Sequence, residues 1–520
     1  SYQLFFCKKV LSENASTLLS DDKSLCIQIG SDTILLYYPM AKFYITNAIP
    51  YINAMPHIGH AFEFVQSDVI ARYHRILGDE VILLCGGDEN ALKNVQAAEK
   101  AGKPIQEFID KNTEVFYDLS KRLNVRFDVW QKGSDKNHYT ASQKLWQLCA
   151  KSGDIYKKLY KGLYCLGCEA FYTGNELDEK GECFEHPGRK LEIVEEENYF
   201  FRLSKYQDKL LQLIESDAYK IIPESRKNEI VSFIKRGLQD FSISRSNARA
   251  KNWGVPVPGD PLQRIYVWFD ALNIYQSGIG FGSKEEEYNK WWPANVHVIG
   301  KGIIRFHAVY WPAVLLSAGL KLPKSLFVHE YFTVNGQKMS KTLGNVIDPF
   351  ELIKKYGAEA LRYYFLAKFS PFIDSDFSEE KFIQVYNGDL AGGIGNIVAR
   401  VAKLCELIDY QQEASANRTM KQVIADSEYI RSMREFKFNE AIGAVWKKIS
   451  KLDKYINQEK PWALIDIDNQ KLGTILAHCV DQIQEIGLLL EPFLPQTSDK
   501  ILQQFKGPKI KSSQPLFPRI

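Results

Sequence analysis

The chain has 520 residues, a formal net charge of +3 and nine cysteines. Such a length admits several domains of ~100–200 residues each, and the near balance of charge means that a nucleic-acid partner is held by local basic surface, not by a global excess. No apolar run reaches the ~18 residues needed to span a membrane, and the cysteines are too sparse for a disulfide scaffold, which favours a reducing, cytoplasmic setting over secretion.

Residues 1–39 read as an extension of unknown role. Lys8 and Lys9 are basic, but Glu13, Asp21, Asp22 and Asp32 count against a transit peptide, which is poor in acids. Residues 43–46 are β-branched and aromatic and predict a buried strand. Asn47, Pro50, Asn53 and Pro56 then break the pattern with loop chemistry, and His57, Ile58, Gly59 and His60 open a stretch, 61–77, with apolar residues at helical spacing. A strand, a tight loop and a helix start with two imidazoles one turn apart make a phosphate site. Helix-start N–H groups attract anions, Gly59 permits close approach, and His57 and His60 share a face as donors. The same four-residue pattern also decorates ordinary helix starts.

Residues 81–85 predict a second buried strand, with Gly86, Gly87, Asp88 and Glu89 at its C-terminal end, where open parallel sheets bind ligands. Asp88 there either faces a cationic group or caps a helix predicted over 91–101. Residues 124–130 and the helical run 139–151 continue the α/β alternation. From 154 to 258 the chain has its own character. Cys165 and Cys168, followed by Cys183 and His186, have the spacing of a closed tetrahedral zinc knuckle. Four protein ligands leave no position for water, so the zinc, one per chain, is read as structural. Residues 198–203 and 240–245 are read as the return to the nucleotide-binding sheet, and 253–258 as the loop that leads back.

Residues 266–275 run from a strand end into a helix. Trp268, Ala271, Leu272 and Tyr275 fall at spacings that give one apolar face, a stripe that in most chains is simply core. Residues 296–299 predict a short strand and 300–303 a turn, followed by His307, which is as readily a satisfied core imidazole as a ligand contact. Lys338, Ser340, Lys341 and Thr342 follow Gly336 in a loop suited to clamp a polyphosphate, although a Lys-rich loop is often only a solvated surface. Asp348 and Pro349 start a helix that ends near Gly357. From Phe382 onward the pattern is helical; Asn396 and Arg400 lie one turn apart on one face, and Trp462 sits at a helix start.

His57 to His60 and Lys338 to Thr342 together resemble the HIGH and KMSKS signatures of class I aminoacyl-tRNA synthetases. With PYINAMPHIGH, the Cys/Cys/Cys/His knuckle, YVWFDAL, HVIGKGIIRFH and KMSKTLGNVIDP, the chain from Met40 onward resembles the methionyl-tRNA synthetase family. The resemblance implies an α/β fold. A Rossmann-type parallel-sheet catalytic domain (40–153 and 259–337) would be split by a connective insertion with the zinc knuckle (154–258). A KMSKS and stem-contact region (338–381) and an α-helical bundle that binds the anticodon (382–520) would follow. It implies a methionine pocket from Ile49, Tyr51, Trp268, Ala271, Leu272, Tyr275, Ile303 and His307, with Asp88 on the α-ammonium. His57, His60, Lys338, Ser340 and Lys341 would serve catalysis, and Asn396, Arg400 and Trp462 would read the anticodon by stacking and edge contacts.

The implied partners are L-methionine, ATP with magnesium, and tRNA(Met). The chain stops at Ile520 with no appended module, which points to a monomer. Departures from the family pattern are Asn90 and Ala91 in its Asp-Glu-His-Gly, Gly302 in its IGKD, Thr342 for the last serine of KMSKS, and Ala54 for a common glycine. Asn90 and Gly302 bear on ATP and amino-acid geometry. Another class I synthetase, for cysteine or a branched aliphatic amino acid, and a non-catalytic tRNA-binding relative remain open from the sequence. A nucleotidyltransferase with an HxGH site is a weaker fit, because it lacks the long helical half.

Overall fold

A run of residues that is apolar on both faces forms a strand covered on both sides, and Tyr44 and Ile45, both fully buried, put such a strand, β1 (Lys42–Asn47), at the centre of the molecule. With it lie β2 (Glu80–Gly87), β3 (Val129–Lys132), β4 (Lys220–Ile222), β5 (Val296–Gly300) and β6 (Ser325–His329). The six strands are all parallel in the order β3-β2-β1-β5-β6-β4. The computed structural model describes residues 24–29, 32–37, 41–165, 167, 170–172, 177–183, 188, 190–339, 344–412 and 427–520.

Strand order reverses between β1 and β5, so the loops leaving their C-terminal ends diverge and open a crevice, the place where such sheets bind ligands. Alternate residues of each strand feed two cores. Ile45, Leu83, Val298 and Phe327 pack with helix α1 (Ile58–Ile76) and the C-terminal helices, whereas Tyr44, Leu84, Ile299 and Val328 pack towards the segment between β3 and β5. The helical half contains Asn396–Leu407, Phe438–Glu459, Asn469–Leu490 and Pro495–Gln504 among others. Asp348 starts Pro349–Tyr356 as expected, its carboxylate accepting from the Phe350 amide at 2.8 Å, and Gly357 ends it with a positive φ of 85°. Among the described residues no helix is long and apolar enough to cross a membrane.

Two expectations need correction. The stretches 198–203 and 240–245 do not rejoin the parallel sheet. Glu192–Phe201 and Phe241–Ser242 belong to a separate sheet with Ile155–Cys165 and Ala170–Tyr172, every pairing in it antiparallel. Glu192–Phe201 alternates exposed acids with buried residues, the pattern of a ribbon with one solvated face. The central sheet instead takes its edge strand β4 from the middle of the segment assigned to the insertion.

Candidate active site

Helix α1 begins with its own histidines as caps. The Gly59 amide donates to His57 Nδ1 at 3.1 Å, and the His57 amide donates to His60 Nδ1 at 3.1 Å. An imidazole nitrogen that accepts carries no proton, so in the neutral rings the proton sits on Nε2 of both. The two rings lie 3.9 Å apart and present their Nε2 N–H groups at the positive end of the helix dipole, which attracts anions. A Cβ on Gly59 would lie 2.8 Å from His57 Cε1, so only glycine lets the capping ring fold back.

The downstream signature reaches the same place. The Ile58 amide donates to the Ile347 carbonyl at 3.1 Å, and Met339 lines the same cavity as His57 and His60. Lys338 pairs with Thr333 between the short strands Phe332–Val334 and Gln337–Lys338. The Lys338 side chain, Ser340, Lys341 and Thr342 lie outside the described residues.

Between the ends of β1, β2 and β5 lies a cavity of about 830 Å³ lined by, among others, Ile49, Tyr51, His57, His60, Trp268 and Ile303. Tyr51 meets the Trp268 ring edge-on at 6.1 Å and pairs through its main chain with Asp88. Asp88 is buried, and its amide donates to the Pro50 carbonyl at 2.9 Å. It does not cap the next helix, Leu92–Lys100, whose N-cap is Ala91. Trp268, on the short helix Val267–Ala271, stacks on Phe306 at 3.7 Å.

Ala271, Leu272, Tyr275 and His307 are buried and do not line the cavity; they form a layer behind it. His307 sits in a π-helical turn, Phe306–Tyr310, a local widening common at functional sites. Its Nδ1 lies 3.0 Å from the Ile303 carbonyl, which can only accept, so Nε2 accepts from the Tyr275 hydroxyl at 2.9 Å. Burial lowers the His307 pKa to about 4, against a small opposing pull from that carbonyl. Burial, helped by His307, also holds His297 well below its usual value.

Several cavity residues have no motif to announce them. Glu63 accepts from His329 Nε2 at 2.9 Å and from the Asn47 amide at 2.8 Å, and its spacing of three from His60 on one helix was the one available signal. Lys93 stands 3.2 Å over the Tyr51 ring and donates to the Gly167 carbonyl at 2.9 Å. Glu330 pairs with Lys301 at 2.8 Å. At the departure Gly302, the main-chain amide donates to the Tyr331 hydroxyl at 2.8 Å.

Of the four knuckle residues, Cys165 and Cys183 are buried in the insert, and Cys168 and His186 lie outside the described residues. Among the described residues no group of three His, Cys, Asp or Glu side chains is arranged to hold a metal. In the helical half, the Arg400 guanidinium lies 5.6 Å from the Trp462 ring, which is 46% exposed, and donates to Asp453 at 2.9 Å. Asn396, at the start of the helix that carries Arg400, is exposed.

Comparison with known proteins agrees with this geometry. The family model described as tRNA synthetases class I (M) matches residues 43–402. The methionine–tRNA ligase of Brucella suis is 40% identical over 507 residues, covering 92% of this chain and 98% of its own length. That of Thermotoga maritima is 41% identical over 475 residues, covering 89% and 75%. A structure of Mycobacterium tuberculosis methionyl-tRNA synthetase in complex with methionyl-adenylate superposes with a TM-score of 0.85 at 35% identity, covering 92% of this chain and 100% of that one. The apo form of that enzyme gives 0.78 at 31%, covering 93% and 99%. The chain belongs to the methionyl-tRNA synthetase family of class I tRNA synthetases.

Proposed function

We propose that the chain is a methionine–tRNA ligase, which activates L-methionine with ATP to methionyl-adenylate and transfers the methionyl group to the 3′ end of tRNA(Met). The observation that carries this reading is one cavity lined by His57 and His60 of the helix start, by Met339 of the downstream stretch and by Tyr51 and Trp268, with Ile58 bonded to Ile347. The methionyl-adenylate in the M. tuberculosis structure supports the same pairing of nucleotide and amino acid.

In the reaction the methionine carboxylate attacks the α-phosphorus in line and pyrophosphate leaves; the terminal hydroxyl of the tRNA then attacks the adenylate carbonyl and AMP leaves. His57 and His60 donate from Nε2 to the phosphates, and Lys338, Ser340 and Lys341 help to offset the charge that builds on them. Catalysis is therefore positioning and charge stabilisation without a covalent enzyme intermediate. Asp88 holds the α-ammonium. Trp268 and Tyr51, with Ile49 and Ile303, receive the thioether, whose polarizable sulfur favours aromatic edges, against a layer of Ala271, Leu272, Tyr275 and His307. Magnesium enters with ATP as part of the substrate.

Cys165, Cys168, Cys183 and His186 would hold one structural zinc, a role suited to the two buried thiols and the C-x2-C, C-x2-H spacing. Such an ion ties the insert together and takes no part in the chemistry. Asn396, Arg400 and Trp462 would read the anticodon, the indole stacking on a splayed base.

The test is exchange of pyrophosphate into ATP in the presence of single amino acids. Methionine, and not cysteine, isoleucine or valine, is expected to support exchange, and His57→Ala and Lys338→Ala to lower it on the order of 10²-fold or more. Exchange driven by another amino acid would assign a different class I synthetase. No exchange with retained tRNA binding would mark a non-catalytic relative.

A further inference from the structure

We infer that Asn90 is a positioning residue that fixes the distance between Asp88 and Trp268, and through it the affinity for the amino acid. The inference rests on the ligase reading above. The Asn90 side-chain amide uses one N–H on the Gly133 carbonyl at 2.8 Å and the other on Asp270 Oδ2 at 2.6 Å. Asp270 is 1% exposed, and its other oxygen accepts from Ser142 at 2.6 Å and from His138 Nε2 at 2.9 Å. Gly133 is in turn tied to β2, its amide donating to the Gly87 carbonyl at 3.1 Å.

These contacts close a ring. Asp88 and Asn90 stand two residues apart on one loop, and Trp268 and Asp270 two residues apart on one short helix. On the cavity side, Tyr51 joins the two elements, its main chain paired with Asp88 and its ring against Trp268. On the far side, Asn90 joins them through Asp270. The first link is an aromatic edge contact; the second is a short, part-buried, charge-assisted hydrogen bond. A bound amino acid spans the ring, its ammonium at Asp88 and its side chain at Trp268, while ATP lies along the histidines outside it. Loosening the Asn90 link therefore weakens amino-acid binding and leaves the nucleotide site alone.

The test uses the full chain in pyrophosphate exchange. Asn90→Ala removes both donors; Asn90→Asp keeps the size but presents a second carboxylate to Asp270. Both are expected to raise KM for methionine about tenfold, with KM for ATP and the rate at saturating methionine within about twofold of wild type. Ser142→Ala removes a different hydrogen bond to Asp270 and controls for general loss of stability; its methionine KM is expected to stay at the wild-type value. The inference is overturned if both Asn90 variants leave the methionine KM within about twofold, if KM for ATP rises in parallel, or if Ser142→Ala gives the same rise. Wild-type protein without methionine-dependent exchange would instead overturn the ligase reading, and the inference with it.

Discussion

His307 shows how neighbours fix the chemistry of one side chain. The Ile303 carbonyl and the Tyr275 hydroxyl select its tautomer, and burial lowers its pKa to about 4 from 6.5. Between those two values the unfolded chain binds a proton at this position and the folded chain does not, so stability rises with pH through the window and is lost as pH falls from 6.5 towards 4. The single group contributes about 3 kcal/mol. His307→Gln is expected to flatten the dependence of the unfolding midpoint on pH between 4 and 6.5, read by thermal melts across that range; an unchanged slope would show that His307 titrates normally. None of this is written in the sequence, where His307 is one histidine among apolar residues. The aromatic stripe is better announced, since Trp268, Ala271, Leu272 and Tyr275 are all buried as their spacing requires. The spacing could not tell which of them faces the cavity, because Val267–Ala271 and Ile274–Ser277 are two short helices and, of the four, only Trp268 lines it.

At the scale of the element, the start of α1 combines two tasks in His57, whose Nδ1 caps the helix while, in the proposed reaction, its Nε2 edge serves the phosphates. The tasks separate by substitution. Asn is a good N-cap and Ala a poor one, a difference of about 1 kcal/mol. His57→Asn is therefore expected to keep the wild-type unfolding midpoint and still lose exchange on the order of 10²-fold, whereas His57→Ala loses both. Calorimetry beside the exchange assay separates the cases, and equal destabilisation by the two variants would remove the capping role. The strand-loop-helix order around this start was legible because β1 and β2 are long apolar runs and the loop between β1 and α1 is rich in Pro and Asn. Strand β4 was not, since Lys220–Ile222 is only three residues long and takes its register from Ser325, Leu326 and Phe327, partners about a hundred positions away that local periodicity cannot see. Glu63 and Lys93 escaped for the same reason: both lie on helices, and their partners His329 and Gly167 come from distant positions.

At the scale of the whole molecule, Arg362, a fully buried guanidinium on Ala358–Lys368, links the sheet side to the helical half within one apolar core. It pairs with Asp68 of α1 at 2.9 Å and donates to the carbonyls of Phe493, Leu123 and Pro492 at 2.8, 3.1 and 3.2 Å. One side chain thus joins the helix that begins at His57 and His60 to the turn after Asn469–Leu490 in the bundle. Asp68 keeps Arg72 at 2.7 Å, so removing Arg362 does not strand the carboxylate, but it leaves three buried carbonyls without a donor. Breaking such a buried charged link costs about 3 kcal/mol. Because the cost falls on the seam between the sheet and the bundle, Arg362→Met is expected to split urea unfolding into two steps, with loss of exchange preceding loss of the helical circular dichroism signal. Arg362→Lys is not expected to restore the single step, since one ammonium cannot reproduce the planar fork that reaches Asp68 and the carbonyls together. A single transition at the wild-type midpoint in Arg362→Met would mean that the apolar contacts along the seam, Phe327 against Phe436 and Phe438 among them, already hold the two halves as one cooperative unit.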